Sequence, residues 1–125
     1  SQEFINKAHR WRKMFGGGWR QAGVLAAAGL HTLDHHIERL AEDHVRARKV
    51  AEAIDAMENF SVDLGAVQSN LVYVNCNIPA ADVVASLAEN GIDMFDLPYN
   101  RVRVAIHLHI TDEDVDRIIA AFAAQ

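Results

Sequence analysis

Three adjacent glycines, Gly16, Gly17 and Gly18, interrupt a helical stretch reading RWRKMFGGGWRQAGVLAAAGL from Arg10 to Leu30, and they restrict the fold more than any other feature. Each glycine in a helix interior costs roughly 0.5–1 kcal/mol relative to alanine, so a run of them belongs where the backbone turns tightly or approaches another group closely. The pattern therefore predicts a helix before Gly16, a turn, and a second helix over residues 19–30. Lys13 and Arg20 flank that turn. With Arg20 in the first turn of the second helix, unpaired N–H groups and the positive end of the helix dipole form a place suited to a phosphate or a carboxylate.

Length and charge narrow the possibilities further. The 125 residues, 50% of them hydrophobic, are enough for one ordinary core. A net charge of −5 argues against general binding of nucleic acid, and the basic residues near the start (Lys7, Arg10, Arg12, Lys13, Arg20) form a local patch of the kind found at subunit contacts and small anion sites. The single cysteine, Cys76, excludes an internal disulfide and suits a reducing compartment. No apolar run reaches the roughly 18 residues of a membrane span, and no signal-peptide pattern opens the sequence, so a soluble cytoplasmic protein without membrane contact is expected.

Ser1, with Glu3 just inside, caps a first helix whose apolar face is Phe4, Ile5, Ala8, Trp11 and Phe15. From about Asp34 the apolar spacing of Ile37, Leu40, Ala41, His44, Ala47, Ala51 and Ile54 predicts one amphipathic helix of about 24 residues, a rod of about 35 Å. The second half changes period. Phe60–Leu64 and Leu71–Asn75 read as strands, Ala80–Asn90 as a helix started at Pro79 and stopped by Asn90 and Gly91, Ile92–Phe95 and Val102–Leu108 as strands, and the segment after Thr111 as a capped helix. The order ββαββα predicts a small α+β layer with two helices on one face of an antiparallel or mixed sheet. The boundary falls where strands begin, giving segments 1–58 and 59–125.

On the strand Arg101–His107, Arg101, Arg103, Ala105 and His107 share one face by period two. A guanidinium there offers a planar fork that holds a carboxylate through two parallel hydrogen bonds. His107 and His109, and likewise His35 and His36, have spacings that a metal could use, yet no third and fourth ligand is visible, so no metal site is assigned. Gln68-Ser69-Asn70 precedes a strand, where Asn70 caps a turn or orients a loop. Cys76 lacks a cationic neighbour in sequence and reads as an inert thiol.

The run RWRKMFGGGWRQAGVLAAAGL, followed by Glu38-Arg39-Leu40-Ala41-Glu42-Asp43-His44 and more weakly by Gln68-Ser69-Asn70 and Val102–His107, resembles the low-specificity L-threonine aldolases. These are pyridoxal-phosphate enzymes of the aspartate-aminotransferase fold type. The resemblance implies that the chain is a C-terminal portion, with residues 1–58 ending the large domain and linking it to a small domain at 59–125. It further implies that the lysine holding the cofactor lies upstream of Ser1, so that Lys13 is not that lysine, no catalytic residue lies in this chain, and the chain alone is inactive. On the same basis Arg103 binds the substrate α-carboxylate, while Lys13 and Arg20 approach the cofactor phosphate. The partners implied are the N-terminal portion of the same enzyme, other copies in a homotetramer built as a dimer of dimers, and a β-hydroxy-α-amino acid. The sequence departs from the family pattern at Trp19, where methionine is common, and at His109, where an acidic residue is usual. Two other readings stand beside this one: a related fold-type I lyase or racemase, and a free-standing noncatalytic domain that binds an anion or assembles through its helices.

Overall fold

The computed structural model describes all residues, Ser1–Gln125, which form two compact units, Ser1–Glu38 and Arg39–Gln125. In the first unit α1 (Gln2–Met14) starts as expected: the Ser1 hydroxyl accepts from the Phe4 N–H, Glu3 lies in the first turn, and Arg12 and Lys13 lie in the last, so both ends complement the dipole. The glycine run then ends the helix. Gly16 adopts φ +83°, the Gly16 N–H donates to the Lys13 carbonyl and the Gly17 N–H to the Arg12 carbonyl at 2.8 Å, which is a Schellman cap. A Cβ at Gly17 would lie 3.0 Å from the Arg12 carbonyl oxygen, and one at Gly18 would run into the Lys13 side chain, so the second and third glycines answer close approach.

Helix α2 spans Gly23–His35 and begins later than residue 19. The cap turns the chain out of helical geometry, the next two glycines have little helix propensity, and helicity resumes only at the alanine-rich run. Arg20 accordingly sits in a bend before the helix, and Ala22 at the N-cap offers no capping side chain. The expected rod from Asp34 is also broken: α2 ends at His35, residues 36–39 turn, and α3 spans Leu40–Asp55, 16 residues. At the break the His31 ring lies tilted against His35 and edge to face with His36, ring centroids 4.4 and 5.4 Å apart, and bulky, poorly helix-forming residues follow one another. The compact units therefore divide between Glu38 and Arg39 instead of at 58 and 59, because α3 packs with the sheet.

The second unit has the expected ββαββα order after α3: β1 (Phe60–Val62), β2 (Leu71–Cys76), α4 (Ala80–Glu89), β3 (Phe95–Leu97), β4 (Arg101–Ala105) and α5 (Asp112–Ala123). The sheet is antiparallel throughout, in the order β1-β2-β4-β3. Its inner face is Phe60, Val62, Val72, Val74, Val102 and Val104, buried against Val50 and Ile54 of α3, Val83 and Leu87 of α4, and Val115, Ile118 and Phe122 of α5. Each such fully buried side chain contributes about 1.5–3 kcal/mol of transfer free energy. Three helices, not two, cover that face, since α3 belongs with α4 and α5. Strand β3 lies later than expected, because residues 92–94 follow a second Schellman cap, in which Gly91 (φ +72°) donates to Ala88 and Ile92 to Leu87. Strand β4 ends at Ala105, short of Leu108, where the chain turns into the loop before Thr111.

Helix α5 carries a full capping box: the Thr111 hydroxyl accepts from the Asp114 N–H, and the Asp114 carboxylate accepts from the Thr111 N–H at 3.0 Å. Arg46 donates to Asp112 at 2.7 Å and Lys49 to Asp116 at 2.6 Å, tying α5 to α3. Asp43 is the buried charged residue, and its Oδ1 accepts no hydrogen bond. Arg39 at 3.6 Å and Arg46 at 3.9 Å compensate its charge.

Candidate functional site

Alternation along β4 divides its side chains between two environments. Val102 and Val104 enter the core, whereas Arg103 points to the open face, flanked in register by Tyr73 on β2 and Phe95 on β3. Arg103 is exposed and makes no hydrogen bond or ion pair, so its five donors are free for an external acceptor. It lines a groove of about 310 Å³ with Asp93, Met94, Phe95, Ala105 and His107. Arg101, on the same face, is engaged: its Nε–H donates to the Pro98 carbonyl at 3.2 Å, and its guanidinium lies 5.6 Å from the Tyr99 ring centre.

Two asparagines fix the strand that presents Arg103. Asn100, in left-handed geometry at φ 54°, donates to the Cys76 and Ile78 carbonyls at 2.6 and 2.8 Å and accepts from the Ala80 N–H at 2.8 Å. It thereby starts β4, and it also satisfies the first turn of α4, where Pro79 has no capping side chain. Asn70 holds the other end, donating to the Ile106 carbonyl at 2.7 Å while its own carbonyl accepts from the Ile106 N–H at 2.9 Å. Of the two roles open to Asn70 from sequence, orienting the loop after β4 is the one its side chain performs. In sequence Asn100 reads only as a residue, with Pro98, of the bend between the last two strands. The signal was an asparagine tolerant of positive φ after Pro98, but its acceptors lie far away in sequence.

Lys13 and Arg20 lie in the first unit, and Arg103 in the second. Lys13 is exposed in the last turn of α1, its stem packed over Gly18, and Arg20 is exposed in the bend before α2. Neither side chain is engaged within the molecule. The N–H groups of Gly16 and Gly17 are consumed by the helix cap, so those two donors are not free for an anion. An anion at this turn would be met by cationic side chains, not by a helix N-terminus bearing Arg20.

The histidines gather into His31, His35 and His36 in one place and His107 with His109 in another, but no group of three or more His, Cys, Asp or Glu side chains has a geometry for a metal ion. Cys76 is a buried free thiol, and burial pushes its pKa up. No helix is long and apolar enough to cross a membrane.

Comparison with known proteins places this geometry in a family. The chain is 36% identical over 98% of its length to the probable low-specificity L-threonine aldolase 2 of Arabidopsis thaliana, 31% identical over 99% to the low specificity L-threonine aldolase of Escherichia coli, and 35% identical over 92% to the probable low-specificity L-threonine aldolase of Schizosaccharomyces pombe. It spans only 36% of the length of the first two and 28% of the third. Among solved structures, a C-DES mutant with glycine covalently linked to the PLP cofactor superposes with a TM-score of 0.66 at 20% identity, over 82% of this chain and 28% of that one, a likeness that establishes the fold. The profile of the beta-eliminating lyases matches residues 1–77, and the chain belongs to that family.

Proposed function

We propose that the chain is the C-terminal part of a pyridoxal-phosphate-dependent aldolase that cleaves β-hydroxy-α-amino acids, such as threonine or allo-threonine, to glycine and an aldehyde, and that Arg103 holds the α-carboxylate. The observation that carries this reading is the unpartnered guanidinium of Arg103 at the lip of a groove, in a chain similar to threonine aldolases over nearly its whole length. A fork of free donors in a partly apolar setting matches a carboxylate in geometry and charge.

The residues present also fit the cofactor's phosphate in part. Lys13 and Arg20 would meet it through side-chain charge, with the rest of the cofactor held by the portion of the enzyme outside this chain. When bound, pyridoxal phosphate supplies the electron sink that lets the Cα–Cβ bond break. By anchoring the carboxylate, Arg103 limits rotation about Cα and so helps to select which bond breaks. A cytoplasmic location and a dimer of dimers complete the reading. Its support is the resemblance to the aldolases, with a lone buried cysteine that suits a reducing compartment.

The test is Arg103→Gln and Arg103→Lys in the full-length enzyme with bound cofactor. Loss of charge-assisted bonds to one carboxylate raises KM for threonine by on the order of tenfold to a hundredfold for Gln, with partial recovery for Lys. A KM within twofold of the parent for both variants overturns the assignment. Products separate the neighbouring readings: glycine with an aldehyde supports the aldolase, whereas elimination products from a β-substituted amino acid support the related lyase. An enzyme that takes up no pyridoxal phosphate supports the noncatalytic domain.

A further inference from the structure

His107 lines the same groove as Arg103, and its chemistry is set by the loop that carries it. The His109 N–H donates to His107 Nδ1 at 3.3 Å, and the two rings meet edge to face with centroids 5.7 Å apart. A ring nitrogen that accepts a backbone N–H carries no proton of its own, so this contact places the imidazole proton on Nε2 as a donor. No group in the molecule accepts from that nitrogen, and the residue is exposed.

The surrounding backbone is fixed. Asn70 clamps Ile106 from both sides of its peptide, and the Ile110 N–H closes the turn onto the His107 carbonyl at 2.8 Å. The donor is thus held in place before any ligand arrives, as effective recognition of an anion requires. Strand β4 ends at Ala105 and His107 follows it where the chain leaves the sheet, and Arg103 and His107 both line the one groove. The other cation of the groove, Arg117, is engaged with Asp114 and the Asn90 carbonyl, each at 3.4 Å, and Asp114 is committed to the Thr111 cap.

We infer that His107 is a second substrate-binding residue, whose Nε2–H donates to the same α-carboxylate that Arg103 holds. The inference rests on the reading of Arg103 given above. A carboxylate offers about four lone-pair positions, and the guanidinium fork fills two, so an N–H donor from the side completes its coordination.

The test uses full-length enzyme with bound cofactor and measures dissociation constants for glycine and glycinamide by calorimetry, beside KM and kcat for threonine. His107→Phe keeps a ring without the donor, and His107→Gln restores an N–H at similar reach. Expected are a rise of on the order of tenfold in the glycine Kd and the threonine KM for His107→Phe, recovery to within about threefold for His107→Gln, and no change in glycinamide binding for either variant. Equal weakening of glycine and glycinamide, absence of recovery with Gln, or an unchanged glycine Kd in His107→Phe each overturns the inference. Arg103→Gln runs alongside. If it also leaves the glycine Kd unchanged, the reading of the site fails; if it weakens glycine while His107→Phe does not, only the role of His107 fails.

Discussion

Replacing Asn100 by alanine tests whether one side chain sets the register that presents Arg103. The change removes three hydrogen bonds, to the Cys76 and Ile78 carbonyls and from the Ala80 N–H. Each nets about 0.5–1.5 kcal/mol, and the site is only partly buried, so water recovers some of it and about 2–3 kcal/mol remains for the set. Alanine must also hold φ 54° without the local bonding that makes asparagine tolerant there, adding about 0.5–1 kcal/mol. The total is about 3 kcal/mol, which lowers the thermal midpoint by about 10–20 °C. Asn100→Gly loses the same bonds but escapes the backbone strain, so it is the milder change by at least about 0.5 kcal/mol. Asn100→Asp is worse than alanine at neutral pH, because it turns a carboxylate toward two carbonyl oxygens. Urea unfolding followed by circular dichroism ranks the three. The reasoning is refuted if alanine and glycine cost the same and both cost less than about 1 kcal/mol.

Two other outcomes follow from the charges and the thiol. Asp112 is held below the usual carboxylate range by the hydrogen bond and then the charge of Arg46, and Asp114 by the N–H and then the hydroxyl of Thr111. Depressed folded values mean that their stabilisation is present above the unfolded carboxylate value of about 3.9 and is lost as pH falls through the folded values. The urea midpoint therefore declines on acidification below about pH 4, and the double variant Asp112→Asn, Asp114→Asn flattens that decline; an unchanged slope in the double variant contradicts the assignment. Burial raises the Cys76 pKa, so a thiol-reactive disulfide at pH 8 modifies the native protein slowly and the urea-unfolded protein at once; equal rates in the two states dismiss it.

What could be read from the sequence was whatever a side chain declares within one turn of its own position. The Ser1 cap, the Thr111 start with its three acidic followers, and the stop at Gly91 all depend on partners within about four residues, and all stand in the structure. The alternation read over Leu71–Asn75 and from Arg101 along the next strand likewise stands in the burial of β2 and β4. Readings that depended on continuity were displaced. An unbroken apolar period ran through His35–Arg39, but packing put α3 on the sheet and left the chain to turn at the histidines. The start of α2 depended on how far the glycine cap diverts the chain, which helix propensity does not report. Parity alone did not show that Arg103 lacks a partner while Arg101 has two, since both are strand arginines on one face; only the weaker family match at Arg101 pointed to a structural role there. The difference arises because the turn at Pro98–Asn100 brings a carbonyl and the Tyr99 ring within reach of Arg101 alone.

That difference matters for how substitutions on β4 are interpreted. Val102, Val104 and Ile106 are between 0 and 3% exposed, so truncating any of them leaves a cavity and lowers stability before it alters binding. Arg103 and His107 contribute side chains to the open face, where neither is part of the core, and their removal leaves the register pinned by Asn100 and Asn70 intact. A loss of affinity at these two positions therefore reports the contact itself. Arg101 supplies the contrast: it donates to the Pro98 carbonyl in the turn before β4, so its replacement removes a contact that the fold itself makes. Arg101→Gln should accordingly lower the urea midpoint, whereas Arg103→Gln should lower affinity alone. A stability loss at Arg103 equal to that at Arg101 would mean that the outer face of the strand carries the fold, and that its free guanidinium is not reserved for a ligand.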